Sequence, residues 1–317
     1  MRDISGLVVK THSGYYTVQV GGTRLVCHLR GTLKQAAKKT ELCVIGDRVL
    51  VEFTETDMLS GEQRGVITRI LPRERLLSRV EPSAYAGKST EREQIIIANP
   101  DQAVFVFAAQ QPEPNTRLVD RFLVAAEKAA LPDIALVLNK IDAVSEAHAR
   151  SLFGIYERIG YPVHYVSALS RVGIEPLRKR LQGKISVFTG PSGVGKSSLL
   201  NAIQGGLGQA VGAVSERLTK GKHTTRNAEM FPLEGGGYVA DTPGLRSLAP
   251  WDVEPGELDA YFPEFRPYIP NCAFNDCTHV HEPGCAVRLA LESGKIDPAR
   301  HDSYCRLRAD LESQYIY

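Results

Sequence analysis

GPSGVGKSSL, residues 190–199, has the spacing G-x-x-x-x-G-K-S, and the apolar run ISVFT (185–189) leads straight into it. Glycines at that spacing let successive backbone N–H groups turn inward around an anion. The N-terminus of the helix that follows adds its positive end. Strand, glycine loop and helix in that order make the context a phosphate-binding loop requires. On this reading Gly190, Pro191, Ser192, Gly193, Val194 and Gly195 wrap the phosphates, and Ser198 adds its N–H at the helix start. Lys196 reaches the β and γ groups, where it takes part in catalysis, and the Ser197 hydroxyl ligates Mg2+.

Upstream of this loop stands LNKID, residues 138–142. An aspartate there accepts two hydrogen bonds, from guanine N1–H and the 2-amino group, a pair that adenine lacks. Asp142 is therefore expected to select guanine, Asn139 to brace the loop and the purine, and the Lys140 stem to cover the base. VSALS (166–170) closes the next strand, where Ser167 and Ala168 bring a backbone N–H to guanine O6. ADTPGL (240–245) puts Asp241 at a strand end to hold the Mg2+ shell through water, with the Gly244 N–H as a γ-phosphate sensor. Between the phosphate loop and that segment, KHTTR (222–226) offers Thr224 or Thr225 to magnesium, with Thr225 favoured.

The guanine-reading elements precede the phosphate loop, the reverse of an ordinary GTPase domain. All of them close parallel strands at their C-terminal ends, where open α/β sheets bind ligands. Joining the old termini and cutting elsewhere leaves those loops in place, because domain termini often lie close together. The order predicts a circularly permuted α/β P-loop GTPase domain that binds GTP and GDP.

Working outward, residues 94–250 alternate β-rich runs (EQIIIAN, QAVFVFAAQ, DIALVLN, PVHYVSA, ISVFTG, GYVADTPG) with helical patterns such as RLVDRFLVAAEKAA and KSSLLNAI. Continuous apolar strands alternating with helices imply a doubly wound sheet. Residues 1–72 read as all-β, with five short strand-like runs broken at Ser13-Gly14, Gly21-Gly22 and Gly46-Asp47. That pattern suits a small OB-type barrel, and an SH3-like barrel reads almost the same. Residues 73–93 form a polar, basic connector, and residues 251–317 a mainly helical module containing a Cys/His cluster.

Composition excludes little. The 317 residues carry 38 basic and 36 acidic side chains, a net charge of +2, so overall charge names no partner. No apolar run approaches the ~18 residues of a membrane span, and MRDISGLVVK is too short in apolar residues for a signal peptide. A cytoplasmic protein without membrane contact is expected. Of six cysteines, Cys272, Cys277 and Cys285 crowd beside His279 and His281, which favours metal over disulfides. Cys27, Cys43 and Cys305 read as buried free thiols.

The N-terminal barrel, the permuted motif order and the C-terminal C-x4-C-x-H-x5-C together resemble the ribosome small-subunit-dependent GTPase A family (RsgA/YjeQ) across essentially the whole chain. The resemblance implies a GTPase of late small (30S) subunit assembly, stimulated by that subunit and binding its rRNA, and acting as a monomer. It carries the metal positions to Cys272, Cys277, His279 and Cys285, and a catalytic histidine to His223. Three thiolates and one imidazole make a closed tetrahedral structural Zn2+ site, one ion per chain, with His281 as the rival ligand. The chain has Gly193 where potassium-activated GTPases place an Asn.

Leu245 follows the D-x-x-G segment at the position where many GTPases keep a water-orienting Gln. Slow intrinsic hydrolysis is expected, with His223 supplying the missing group once a partner orders the basic segment RLTKGKHTTR (217–226). Two other classes compete: an ATP-using P-loop enzyme with a zinc module, and an RNA-binding protein whose nucleotide site is only structural.

Overall fold

The computed structural model describes residues 3–36, 43–56, 62–80, 93–212, 227–240 and 253–315. The N-terminal strands are β1 (Ile4–His12), β2 (Tyr15–Val20), β3 (Thr23–Leu29), β4 (Arg48–Thr56) and β5 (Gln63–Ile70), with a short helix α1 (Gly31–Ala36) after β3. Their pairing runs β1-β2-β3-β5-β4 and returns from β4 to β1, with β3 and β5 parallel and every other pair antiparallel. That closed order is the OB-type order and separates the barrel from an SH3-like one. The alternation read in the sequence points Val8, Val18, Leu25, Cys27, Val49, Val51 and Ile67 into one buried core.

The stretch expected to be a connector contains a strand, β6 (Leu76–Val80), which pairs antiparallel with β7 (Glu93–Ala98) in a separate two-stranded sheet. The β-rich run EQIIIA thus does not join the parallel sheet as its composition suggests. The reason is chain length. Only Asn99–Asp101 separates β7 from the next strand, whereas parallel neighbours need a crossover of a dozen residues or more. β7 instead packs on the barrel's Val44–Ile45 turn and on Leu76 and Leu77.

The mostly parallel sheet and its helices follow: β8 (Gln102–Ala108), α2 (Thr116–Lys128), β9 (Ile134–Asn139), α3 (Glu146–Arg158), β10 (Val163–Tyr165), α4 (Ile174–Leu181), β11 (Ile185–Thr189), α5 (Lys196–Ile203), β12 (Asn227–Pro232) and β13 (Tyr238–Ala240). Its order is β10-β9-β8-β11-β13-β12, parallel except for β12. β8 and β9 are buried along their whole length, which explains why they read as unbroken apolar runs. Ala103, Phe105 and Phe107 face α2 and α3, where Phe105 stacks on Phe122 and Phe107 meets Phe153. Val104, Val106 and Ala108 face α4 and α5 on the other side.

β12 carries no clear strand signal in the sequence, yet it makes two joins. It pairs with β13 inside this sheet and with β1 of the barrel, where Lys10 lies opposite Glu229 and forms an ion pair of 2.8 Å. The barrel and the mostly parallel sheet are therefore one hydrogen-bonded surface.

The C-terminal part is built from 3-10 turns at Pro255–Tyr261 and Ile269–Asn271 and two helices, α6 (Ala286–Glu292) and α7 (Pro298–Tyr315). It has its own core around Phe262, Phe265, Tyr304 and Leu307. Arg300 of α7 is 2% exposed and ion-pairs with Asp120 of α2 and, at 2.6 Å, with Glu264. Lys128–Glu257, Arg121–Asp310 and Arg266–Glu127 bind the same two parts together at 2.6–2.7 Å.

Candidate functional site

The phosphate loop leaves the buried end of β11 and crosses β8 closely. A Cβ on Gly190 would lie 2.0 Å from the Val106 carbonyl oxygen, and one on Gly195 (φ +86°) 2.6 Å from Asn139 Nδ2. Glycine at both positions is what lets the loop sit where it does. Ser192, Gly193, Ser197 and Ser198 are exposed, so one side of the loop is open to a ligand. The Lys196 ammonium folds over the loop and donates to the carbonyls of Gly190 (2.7 Å) and Pro191 (2.6 Å).

The segments expected to read guanine meet that loop. Asn139 ends β9, is 1% exposed, and donates through Nδ2 to the Val194 carbonyl at 2.9 Å. Its Oδ1 accepts from the Ala168 N–H at 3.1 Å. One amide thereby ties the base loop, the phosphate loop and the 166–170 segment together. The Ala168 N–H, in the stretch expected to offer a backbone N–H to guanine O6, is engaged by Asn139 Oδ1. Lys140 adopts φ +63° and donates to the carbonyls of Gly193 (2.7 Å) and Gln111 (2.5 Å). Asp142 is exposed and accepts at Oδ1 from the buried Ser167 hydroxyl at 2.5 Å. Ser167 Oγ also accepts from the Ser170 N–H, which fixes that hydroxyl's direction.

Gln111 is a contact that motif reading missed. It follows β8 at the strand end where such sheets bind ligands, and that position is the signal that could have found it. His223, Thr224, Thr225, Asp241, Gly244 and Leu245 lie outside the described residues.

At the C-terminal module, Cys272 Sγ, Cys277 Sγ, Cys285 Sγ and a ring nitrogen of His279 all lie within 4.8 Å of one another. His279 Nδ1 faces Cys285 Sγ at 3.4 Å and Cys272 Sγ at 3.6 Å. His281, the rival, is exposed. Burial and then the adjacent Cys285 and Cys272 sulfurs push the Cys277 thiol up to about 12. Three sulfurs and one imidazole at this separation fit a tetrahedral metal ion, whose Zn–S and Zn–N bonds are about 2.3 and 2.0 Å. The ring's other nitrogen, Nε2, meets Asp259 Oδ2 at 3.0 Å. Asp259 stands 20 residues upstream, and no spacing rule connects it to the cluster.

Comparison with known proteins gives one consistent answer. Residues 70–251 match the family model "RsgA GTPase", and residues 5–59 match "RsgA N-terminal domain". The chain is 43% identical over 308 residues to the small ribosomal subunit biogenesis GTPase RsgA of Gemmatimonas aurantiaca, covering 97% of each. It is 41% identical over 311 residues to the protein of that name from Thermotoga neapolitana, covering 96% of each. Among solved structures, YjeQ from Thermotoga maritima superposes with a TM-score of 0.78 at 37% identity, over 98% of this chain and 99% of that one. YloQ, described as a circularly permuted GTPase, gives 0.74 at 30% identity over 99% and 96%.

Proposed function

The chain belongs to the RsgA GTPase family, and on that premise we propose that it hydrolyses GTP in biogenesis of the small ribosomal subunit, stimulated by that particle. The observation that carries the nucleotide reading is the pair of hydrogen bonds that Asn139 makes, one to the Val194 carbonyl and one from the Ala168 N–H. Although their order in the chain is reversed, the three segments meet at one place, which supports the reading that they form one nucleotide site.

In this reading Gly190–Ser198 hold the phosphates, and Lys196 leaves its two loop carbonyls for the β and γ oxygens. Ser197, Thr225 and Asp241 hold Mg2+, Gly244 senses the γ-phosphate, and Asp142, held by Ser167, reads guanine. The apolar Leu245 leaves the attacking water without a partner. His223 supplies one when the subunit orders its segment. The Cys272, Cys277, His279, Cys285 group holds one structural Zn2+, and the barrel contributes to rRNA binding, which fits a monomeric protein of the bacterial cytoplasm.

GTP turnover with and without purified small subunits tests this. Stimulation by the small subunit and not by the large one is expected. No turnover under either condition would favour the reading in which the nucleotide is only structural, and equal affinity for ATP would favour an ATP-using enzyme.

A further inference from the structure

We infer that Asp259 positions His279 for the metal, as the outer-sphere partner that sets the ring's tautomer and aim. The inference rests on the zinc reading above and adds a residue outside the Cys3His set. A histidine can give its Nδ1 lone pair to a cation only if the ring proton sits on Nε2, and a carboxylate acceptor facing Nε2 stabilises that form. Asp259 Oδ2 is 3.0 Å from Nε2, while Nδ1 faces the sulfurs of Cys272 and Cys285. The ring is 1% exposed, so water does not compete for Nε2.

The carboxylate is itself held. Its Oδ1 accepts from the Ala260 N–H at 2.8 Å, which leaves Oδ2 directed at the imidazole. His279 is gripped from the other side as well. Its carbonyl lies 2.8 Å from His301 Nε2, and the Tyr304 hydroxyl donates to the preceding Thr278 carbonyl at 2.9 Å. Those contacts keep a non-glycine residue at φ +62°. The ring of Phe265 stands edge-on 6.2 Å away. The backbone is thus fixed by α7, and the ring's orientation is left to Asp259. Asp259 lies in the 3-10 turn that Lys128 of α2 holds through Glu257, so that one turn touches both the metal group, through Asp259, and helix α2, through Glu257.

The test uses full-length protein purified without chelators: wild type, Asp259→Ala and Asp259→Asn, with zinc content measured first. Transfer of zinc to a chromogenic chelator then reports affinity. Loss of an outer-sphere partner typically costs about 10- to 100-fold in metal affinity, so Asp259→Ala is expected to release zinc at correspondingly lower chelator concentration. Asp259→Asn, whose amide oxygen still accepts from Nε2, is expected to fall between it and wild type. With Co2+ in place of zinc, the ligand-field bands of Asp259→Ala shift while the thiolate charge-transfer bands persist. A purely structural role would lower thermal stability and leave the spectrum and the affinity of the folded protein unchanged. If Asp259→Ala does not fold, Asp259→Asn carries the same measurements. One zinc in wild type with equal retention in the folded variant overturns the role of Asp259 alone. A wild type without zinc overturns the metal reading and this role together.

Discussion

The Asn139 side-chain amide donates to the Val194 carbonyl over 2.9 Å, joining positions 55 residues apart in the chain. Its other end takes the Ala168 N–H. Asn139→Ala removes both bonds, leaving the buried Val194 carbonyl and the half-buried Ala168 N–H without these partners. Each orphaned group costs about 1–3 kcal/mol, so GTP and GDP affinities are expected to fall together by about 10- to 100-fold. Titration with fluorescent GDP and GTP analogues measures this. A loss confined to one nucleotide would mean that Asn139 acts on the γ-phosphate and not on the frame of the site.

On the proposed reading, Asp142 selects the base. Asp142→Asn replaces a double acceptor with a group that presents one acceptor and one donor, so guanine loses a bond and meets a clash of donors. GTP affinity should drop by two orders of magnitude or so, since a bond to a charged group contributes about 1.5–3 kcal/mol. Xanthosine triphosphate, with a carbonyl where guanine has its amine, should bind better than GTP. Ser167→Ala is milder, because it releases the carboxylate's direction and keeps its charge. About a tenfold loss is expected, with ATP still excluded. Unchanged guanine preference in Asp142→Asn removes LNKID from the site.

Much of this was readable in the sequence, and for a physical reason. A G-x-x-x-x-G-K-S loop and an N-K-x-D loop are short, local and composed of residue types that few other structures need, so spacing alone singles out residues 190–197 and 139–142, which the fold then brings together. The buried strands β8 and β9 announce themselves because both faces are covered. What sequence missed depends on distant chain. β12 is held by partners on both edges and needs little strand propensity of its own. Gln111 contributes a backbone carbonyl, which no residue type encodes. Asp259 and Arg300 act through neighbours 20 and 180 positions away, and an isolated Asp or Arg in a polar segment reads as surface.

Arg300 gives a stability prediction with a pH signature. It pairs with Asp120 and Glu264, its guanidinium lies 4.4 Å from the Phe262 ring, and Tyr156 donates to Asp120 at 3.0 Å. Arg300→Met leaves two buried carboxylates uncompensated, a loss of about 3–5 kcal/mol by comparison with other broken buried pairs. Burial already pushes the Asp120 carboxyl up, against the pull of Arg300. Removing the guanidinium pushes it further. A carboxyl whose folded value lies above its unfolded one of about 3.9 contributes most when protonated and loses that contribution as pH rises. The deficit of Arg300→Met should therefore shrink from pH 8 to pH 6, and Asp120→Leu combined with Arg300→Met should recover part of it. Urea denaturation of the full-length protein reads both. A deficit that grows on acidification would reverse the sign assigned to Asp120.

The last prediction separates binding from catalysis at Leu245 and His223. Leucine can neither donate nor accept a hydrogen bond, so the attacking water needs another group. His223 lies in a basic segment between residues 190–198 and residues 241–244, next in sequence to Thr224 and Thr225, the residues proposed for magnesium. If the small subunit orders that segment, His223→Ala retains GTP affinity, because the phosphate-loop and base contacts are untouched. It also retains subunit binding. Its subunit-stimulated rate falls toward the unstimulated one by about 10²–10³, the usual cost of losing one positioned charge-stabilising group. The unstimulated rate barely changes, since in the free protein the group is not yet in use. Single-turnover hydrolysis with and without small subunits measures both rates. Full stimulation in His223→Ala would assign the water-orienting group to the ribosome or to another residue of this chain, and Leu245→Gln would then distinguish these: a gain in the unstimulated rate marks the position next to Gly244 as the one the water occupies.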